Sequence, residues 1–189
     1  MTVELIENEN ENQSDKIDIK KEIFEWIKVV VLAFSFAFII TRFVTPSLVK
    51  GTSMYPTFNE NDYLIVNKVA YKSHLPEYGD IILFNSNFRD ERVLIKRVIA
   101  KENDTIQIKD SKVYVNGKEI KEDYIYEDIF WGEIDAVVPE GKVFVMGDNR
   151  NNSADSRVED IGFIDKEDII GKVEFRLFPF NKIGSQWKD

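Results

Sequence analysis

The chain has 189 residues, of which 43% are hydrophobic, 31% charged and 13% aromatic, which suits one globular domain plus a short additional segment. A formal net charge of −9 argues against a nucleic-acid partner, because phosphate contacts need clustered Lys and Arg. The absence of cysteine excludes thiol nucleophiles, Cys-ligated zinc and disulfides, and the single histidine, His74, rules out a multi-histidine metal site and leaves a Ser-His-Asp triad one residue to draw on.

Residues 1–22 are rich in Glu, Asp, Asn and Lys and predict a solvated acidic tail. Residues 23–44, IFEWIKVVVLAFSFAFIITRFV, follow. These 22 residues make about 33 Å of helix, enough to cross a hydrocarbon core of ~30 Å with Trp26, Lys28 and Arg42 at its ends. A core helix carries a polar stripe and a secretion signal has a short basic start and a small-x-small exit; this segment has neither, so it reads as an uncleaved anchor. Lys16, Lys20, Lys21 and Lys28 lie before or at the start of the span, against Arg42 and Lys50 after it. That bias predicts a single-pass protein with its N-terminus cytoplasmic and residues 45–189 outside.

Beyond Pro46 the pattern becomes short runs of β-branched and aromatic residues: 63–69, 80–84, 92–100, 105–108, 112–115, 142–146 and 171–178. Asn116-Gly117 is a hairpin signal, and Lys109-Asp110-Ser111 turns one run into the next. With no long helical period, repeat or linker, residues 45–189 predict one domain, mainly antiparallel β.

Several catalytic templates fail on this sequence. Ser47-Leu-Val-Lys50 matches Ser-x-x-Lys, but Pro46 and Val49 favour extended chain and Lys-Thr-Gly is absent. Ser53 has Tyr55 where a hydrolase elbow needs glycine, and the run from Asp148 lacks the glycine of a calcium loop. His74, in KSHLPEYG, has no sequence-adjacent carboxylate to orient it and reads as a loop residue.

Ser53 lies in KGTSMYPTF, where Gly51 and Pro56 describe a rigid segment able to present a side chain and an outward main-chain N–H. With His74 read as a loop residue, the remaining candidate for its base is a desolvated lysine. In RVLIKRVIA, Lys96 alternates onto the strand face of Leu94 and Val98. Neutrality near pH 7 to 8 requires its pKa to fall by about 3 units, at a cost of ~4 kcal/mol. On spacing alone a surface strand lysine with its stem over apolar neighbours is the better fit. MGDNRNNSADSR, residues 146–157, is either a solvated connection or a functional loop. In the second case Ser153 orients the Lys96 amine, while Asp148 and Asp155 pair with Arg157 to keep the loop rigid.

Together these stretches resemble the bacterial type I signal peptidases, membrane-bound serine proteases that remove signal peptides. The pattern is an anchor, then Ser-Met-x-Pro-Thr at 53–57, Gly-Asp-Ile at 79–81, Lys-Arg-Val at 96–98, and Gly-Asp-Asn-Arg at 147–150 followed by Ser-x-Asp-Ser-Arg at 153–157. The single anchor and small size resemble the Gram-positive branch. The resemblance implies Ser53 as nucleophile, Lys96 as general base and Ser153 hydrogen-bonded to that lysine, on a β fold shared with the self-cleaving SOS repressors. It also implies Met54, Ile81 and Ile82 as walls for small substrate side chains. Signal peptides of secreted preproteins and membrane lipid are the expected partners of a monomer that needs no metal or cofactor. Some members carry a serine two residues before the nucleophile; Gly51 stands there, which leaves the Ser53 N–H as the chief oxyanion donor. Ser53 follows Val44 by nine residues, so it lies within ~30 Å of the membrane face. A protease dedicated to one partner, and a non-catalytic module that binds exported chains, are the alternatives.

Overall fold

The computed structural model describes residues 19–88, 93–185 and 187, so residues 1–18 of the expected tail lie outside the described residues. The chain forms two compact units that divide between Thr41 and Arg42. In the first, helix α1 (Ile19–Phe43) has no buried residue and a mean hydropathy of 2.2 over its most apolar window, so it is long and apolar enough to cross a membrane. It takes in Ile19 to Glu22, which the sequence assigns to the tail. Its hydroxyls bond within the helix: Ser35 Oγ donates to the Val31 carbonyl (2.8 Å) and Thr41 Oγ1 to that of Phe38 (2.8 Å). That is what a helix surrounded by hydrocarbon requires.

The second unit is antiparallel β. Seven strands form one sheet in the order β1-β2-β11-β3-β4-β9-β10: β1 (Val44–Leu48), β2 (Tyr63–Asn67), β3 (Ile81–Asn85), β4 (Val93–Lys101), β9 (Lys142–Met146), β10 (Ile164–Asp165) and β11 (Ile169–Phe178). A smaller sheet runs β7-β6-β5-β8, from β5 (Thr105–Lys109), β6 (Lys112–Val115), β7 (Lys118–Glu119) and β8 (Ile134–Val137). The seven apolar runs all become strands. Both predicted turns form as two-residue hairpin loops with left-handed backbone, at Asp110 and Ser111 (φ 52° and 64°) and at Asn116 and Gly117 (φ 53° and 75°). Strand β1 went unpredicted because it holds Pro46, and it is an edge strand, where proline removes no ladder bond. β10, at two residues, is too short to show a period, and β8 (IDAV) lacks the density of β-branched and aromatic residues that marks the equally short β6 (KVYV).

Apolar side chains fill both faces of the large sheet. Leu64, Val66, Ile81, Leu83, Ile95 and Val173 pack in one cluster, and Ile82, Phe84, Leu94, Val98, Val143 and Val145 in another. A third cluster joins Phe144 and Met146 of β9 to Ile106 and Val113 of the small sheet. Strand β4 is therefore covered on both faces, with seven consecutive buried residues, and Lys96 and Arg97 lie in the middle of that run. Two cations at the centre of a core need partners, since an unpaired buried charge costs several kcal/mol.

Candidate active site

The turn carrying Ser53 is pinned from both ends. Val49 and Asn61 close its base through Val49 N to Asp62 O and Asn61 N to Val49 O (both 2.9 Å), and Tyr55 N donates to Thr52 O (3.0 Å). Met54 and Phe58 enter the core at 1% and 0% exposure, which leaves half-buried Ser53 facing the opposite way. Gly51 lies at φ 76°, a left-handed conformation that glycine adopts without strain. Across from this turn, Lys96 is 2% exposed and its Nζ donates to Ser53 Oγ at 2.8 Å. The lysine is thus buried rather than draped over a surface, and the two residues sit in hydrogen-bond reach although 43 positions apart.

Four acid and base side chains of the 147–157 loop lie inside the protein. Asp155 accepts from Arg157 Nε and Nη2 (2.8 Å each) and from the Gly147 N–H (3.0 Å), as the sequence suggests. Asp148 does not join that pair. It takes a two-pronged bond from Arg97 Nε and Nη2 (2.9 and 2.8 Å) and a short one from Thr57 Oγ1. Arg97 also donates to the Gly79 carbonyl (3.1 Å) and to Thr57 Oγ1 (3.3 Å), so one guanidinium ties all four motif stretches together. Arg150 is bound by Glu122 through Nη1 and Nη2 (2.7 and 2.6 Å). Burial opposes the charge on Arg150, and the Glu122 carboxylate more than offsets this, raising its pKa. Tyr124 stacks against Arg97 (4.0 Å from its ring centre) and donates to Glu122; burial, then the Glu122 charge, raises its pKa. Arg97, Glu122 and Tyr124 carry no local signal in the sequence beyond the Lys-Arg pair. Asp148→Ala leaves the Arg97 guanidinium without its carboxylate, at 2% exposure. A loss of roughly 3–5 kcal/mol in unfolding free energy is expected, measurable by denaturant titration.

A cleft of about 1190 Å³ opens beside Ser53 and Lys96, walled by Val49, Leu83, Phe88 and Ile95. Ser153 lines the same cleft, but its hydroxyl is buried and makes no hydrogen bond among the described residues, so the bond to Lys96 that the resemblance implies is not formed in this geometry. Met54, Ile81 and Ile82 do not reach the cleft lining. Ile81 and Ile82 pair with Arg97 and Lys96 in the centre of the sheet, and all three residues are consumed by the core. Ser47 is on strand β1, not a helix, and His74 is exposed, its Nδ1 near the Leu75 carbonyl (2.7 Å).

The family described as signal peptidase, peptidase S26, matches residues 23–178. Signal peptidase I of Bacillus licheniformis is 39% identical over 175 residues, covering 87% of this chain and 93% of that protein. Signal peptidase IB of Staphylococcus aureus (strain COL) is 39% identical over 183 residues, with 87% and 94% covered. Among solved structures, a signal peptidase I from Enterococcus faecalis V583 aligns at 31% identity and a TM-score of 0.46, over 52% of this chain and 97% of that one. With a family match across most of its length and relatives of this similarity, the chain belongs to the signal peptidase family and is a serine peptidase.

Proposed function

We propose that this chain is a membrane-bound endopeptidase that removes N-terminal signal peptides from exported preproteins, with Ser53 as nucleophile and Lys96 as general base. The observation that carries the reading is the 2.8 Å contact between Lys96 Nζ and Ser53 Oγ, made by a lysine buried to 2% exposure. An amine in an apolar setting favours its neutral form, which has a lone pair to accept a proton. Neutral Lys96 takes the Ser53 hydroxyl proton as Oγ bonds to the scissile carbonyl carbon. The resulting ammonium returns that proton to the leaving amine as the C–N bond breaks. Water then attacks the acyl-enzyme, with Lys96 again taking a proton, and Ser53 is regenerated. Oxyanion charge falls on the Ser53 N–H, which donates to no group among the described residues.

The substrate lies extended in the cleft, where Val49, Leu83 and Ile95 offer shallow apolar contacts to small side chains. Ser153 lies in the wall of the same cleft, and the Asp148–Arg97 and Asp155–Arg157 pairs hold the loop behind the nucleophile. Helix α1 serves as the single membrane anchor, N-terminus inside, and residues 45–189 work as a monomer on the outer face. A purified full chain in detergent should cleave a preprotein with an Ala-x-Ala exit, and Ser53→Ala should abolish cleavage. The wild-type rate should drop about tenfold per pH unit on the acid side as Lys96 gains its proton; a profile flat down to pH 5 contradicts a lysine base.

A further inference from the structure

We infer that Asn149 is a positioning residue that aims the oxyanion-binding N–H of Ser53, an inference that rests on the nucleophile assigned above. Asn149 spans two successive peptide units of the nucleophile turn. Its side-chain Nδ2 donates to the Thr52 carbonyl (3.1 Å), and its main-chain N–H donates to the Ser53 carbonyl (3.0 Å). The Thr52 carbonyl and the Ser53 N–H belong to one planar peptide unit, and this unit is trans, so the two point in opposite directions. Drawing the carbonyl toward Asn149 therefore turns the N–H away from the loop. Among the described residues that N–H makes no bond, and both Thr52 and Ser53 line the cleft.

Asn149 can hold this direction because it is itself immobilised. It is 7% exposed, and its neighbours on either side are locked in buried ion pairs, Asp148 to Arg97 and Arg150 to Glu122. Asn152 adds a second brace, its Nδ2 donating to Thr52 Oγ1 (2.8 Å). The turn's own bond from Tyr55 N to Thr52 O (3.0 Å) survives if the Asn149 side chain is removed. The turn then persists, but the tilt of the Thr52–Ser53 peptide is released.

Losing an oxyanion donor outright costs about 10²–10³ in kcat, and misaiming one costs less, about 10- to 100-fold. Asn149→Ala should therefore lower kcat by that factor, with KM changed less than about threefold. A sharper readout compares two ligands on the full chain in detergent. A peptide aldehyde forms a hemiacetal whose oxygen occupies the oxyanion site, whereas a peptide with a reduced CH₂–NH bond at the cut cannot. Asn149→Ala should weaken the aldehyde by the same factor as kcat/KM and leave the reduced peptide unchanged. Asn149→Asp, which keeps the shape and lacks the donor, should show the same split if the alanine variant folds poorly. Equal weakening of both ligands, or an unaltered aldehyde affinity, overturns the inference. Ser53→Ala separates the two readings: if it still cleaves, the nucleophile is wrong; if it is inactive while the Asn149 variants bind aldehyde normally, only the role of Asn149 falls.

Discussion

Lys96→Met is expected to eliminate preprotein cleavage while leaving the domain folded. Methionine is unbranched and of similar length, so it suits the buried space of the lysine stem, which alternation along β4 puts on the face of Leu94 and Val98. What it removes is the amine 2.8 Å from Ser53 Oγ. Ser53 is half-buried at the cleft, so water can replace the lost partner and the turn, anchored by Met54 and Phe58, stays in place. Without a base, the serine hydroxyl is a poor nucleophile, and the loss should reach about 10³–10⁴-fold or more. Turnover of a preprotein measures the first effect and thermal unfolding the second. Residual activity above about a tenth of wild type, from a variant with an unchanged midpoint, rules out Lys96 as the base.

Gly147→Ala should damage the same site through space rather than chemistry. A Cβ at this position would sit 2.3 Å from Ser153 Oγ, 2.4 Å from the Ser53 carbonyl oxygen and 2.7 Å from Ser153 Cβ. The Ser53 carbonyl is main chain, held by the Asn149 N–H, and Ser153 is 6% exposed, so neither can yield cheaply. Moving the Ser53 backbone by an ångström relative to Lys96 costs on the order of 10²-fold in rate. Overpacking of this kind also destabilises by about 1–3 kcal/mol, which lowers the midpoint by about 2–4 °C for each kcal/mol in a domain of this size. A variant with wild-type kcat would mean that the loop relaxes without moving Ser53. The glycine of the Gly-Asp-Asn-Arg stretch is thus a spacing requirement: the end of β9 and the turn carrying Ser53 touch where no side chain fits.

Much of the strand set was legible because β-branched runs between turn residues have few other stable outcomes. Runs such as 105–108 and 112–115, joined by Asp110-Ser111, formed the hairpin their spacing implies. Ser53 and Lys96 were legible through motif order and by eliminating histidine, but the state of Lys96 was not. Alternation says only which face a residue takes, and both faces of a strand are buried only when it is central in a covered sheet. The position of β4 between β3 and β9 removed the surface reading of the lysine.

By itself, then, the sequence determined the apolar helix, the antiparallel β class and the order of the motifs that carry Ser53 and Lys96, since these depend on local composition, periodicity and short spacings. Only the tertiary structure decided the partners. Asp148 was expected beside Arg157, nine residues on, and instead meets Arg97, 51 positions back; Asn149 reaches Thr52 across 97. A carboxylate bonds whichever buried cation the fold brings within about 3 Å. That distance is set by sheet order and register, so the arrangement that holds Ser53 against Lys96 emerges only when β3, β4 and β9 are placed side by side.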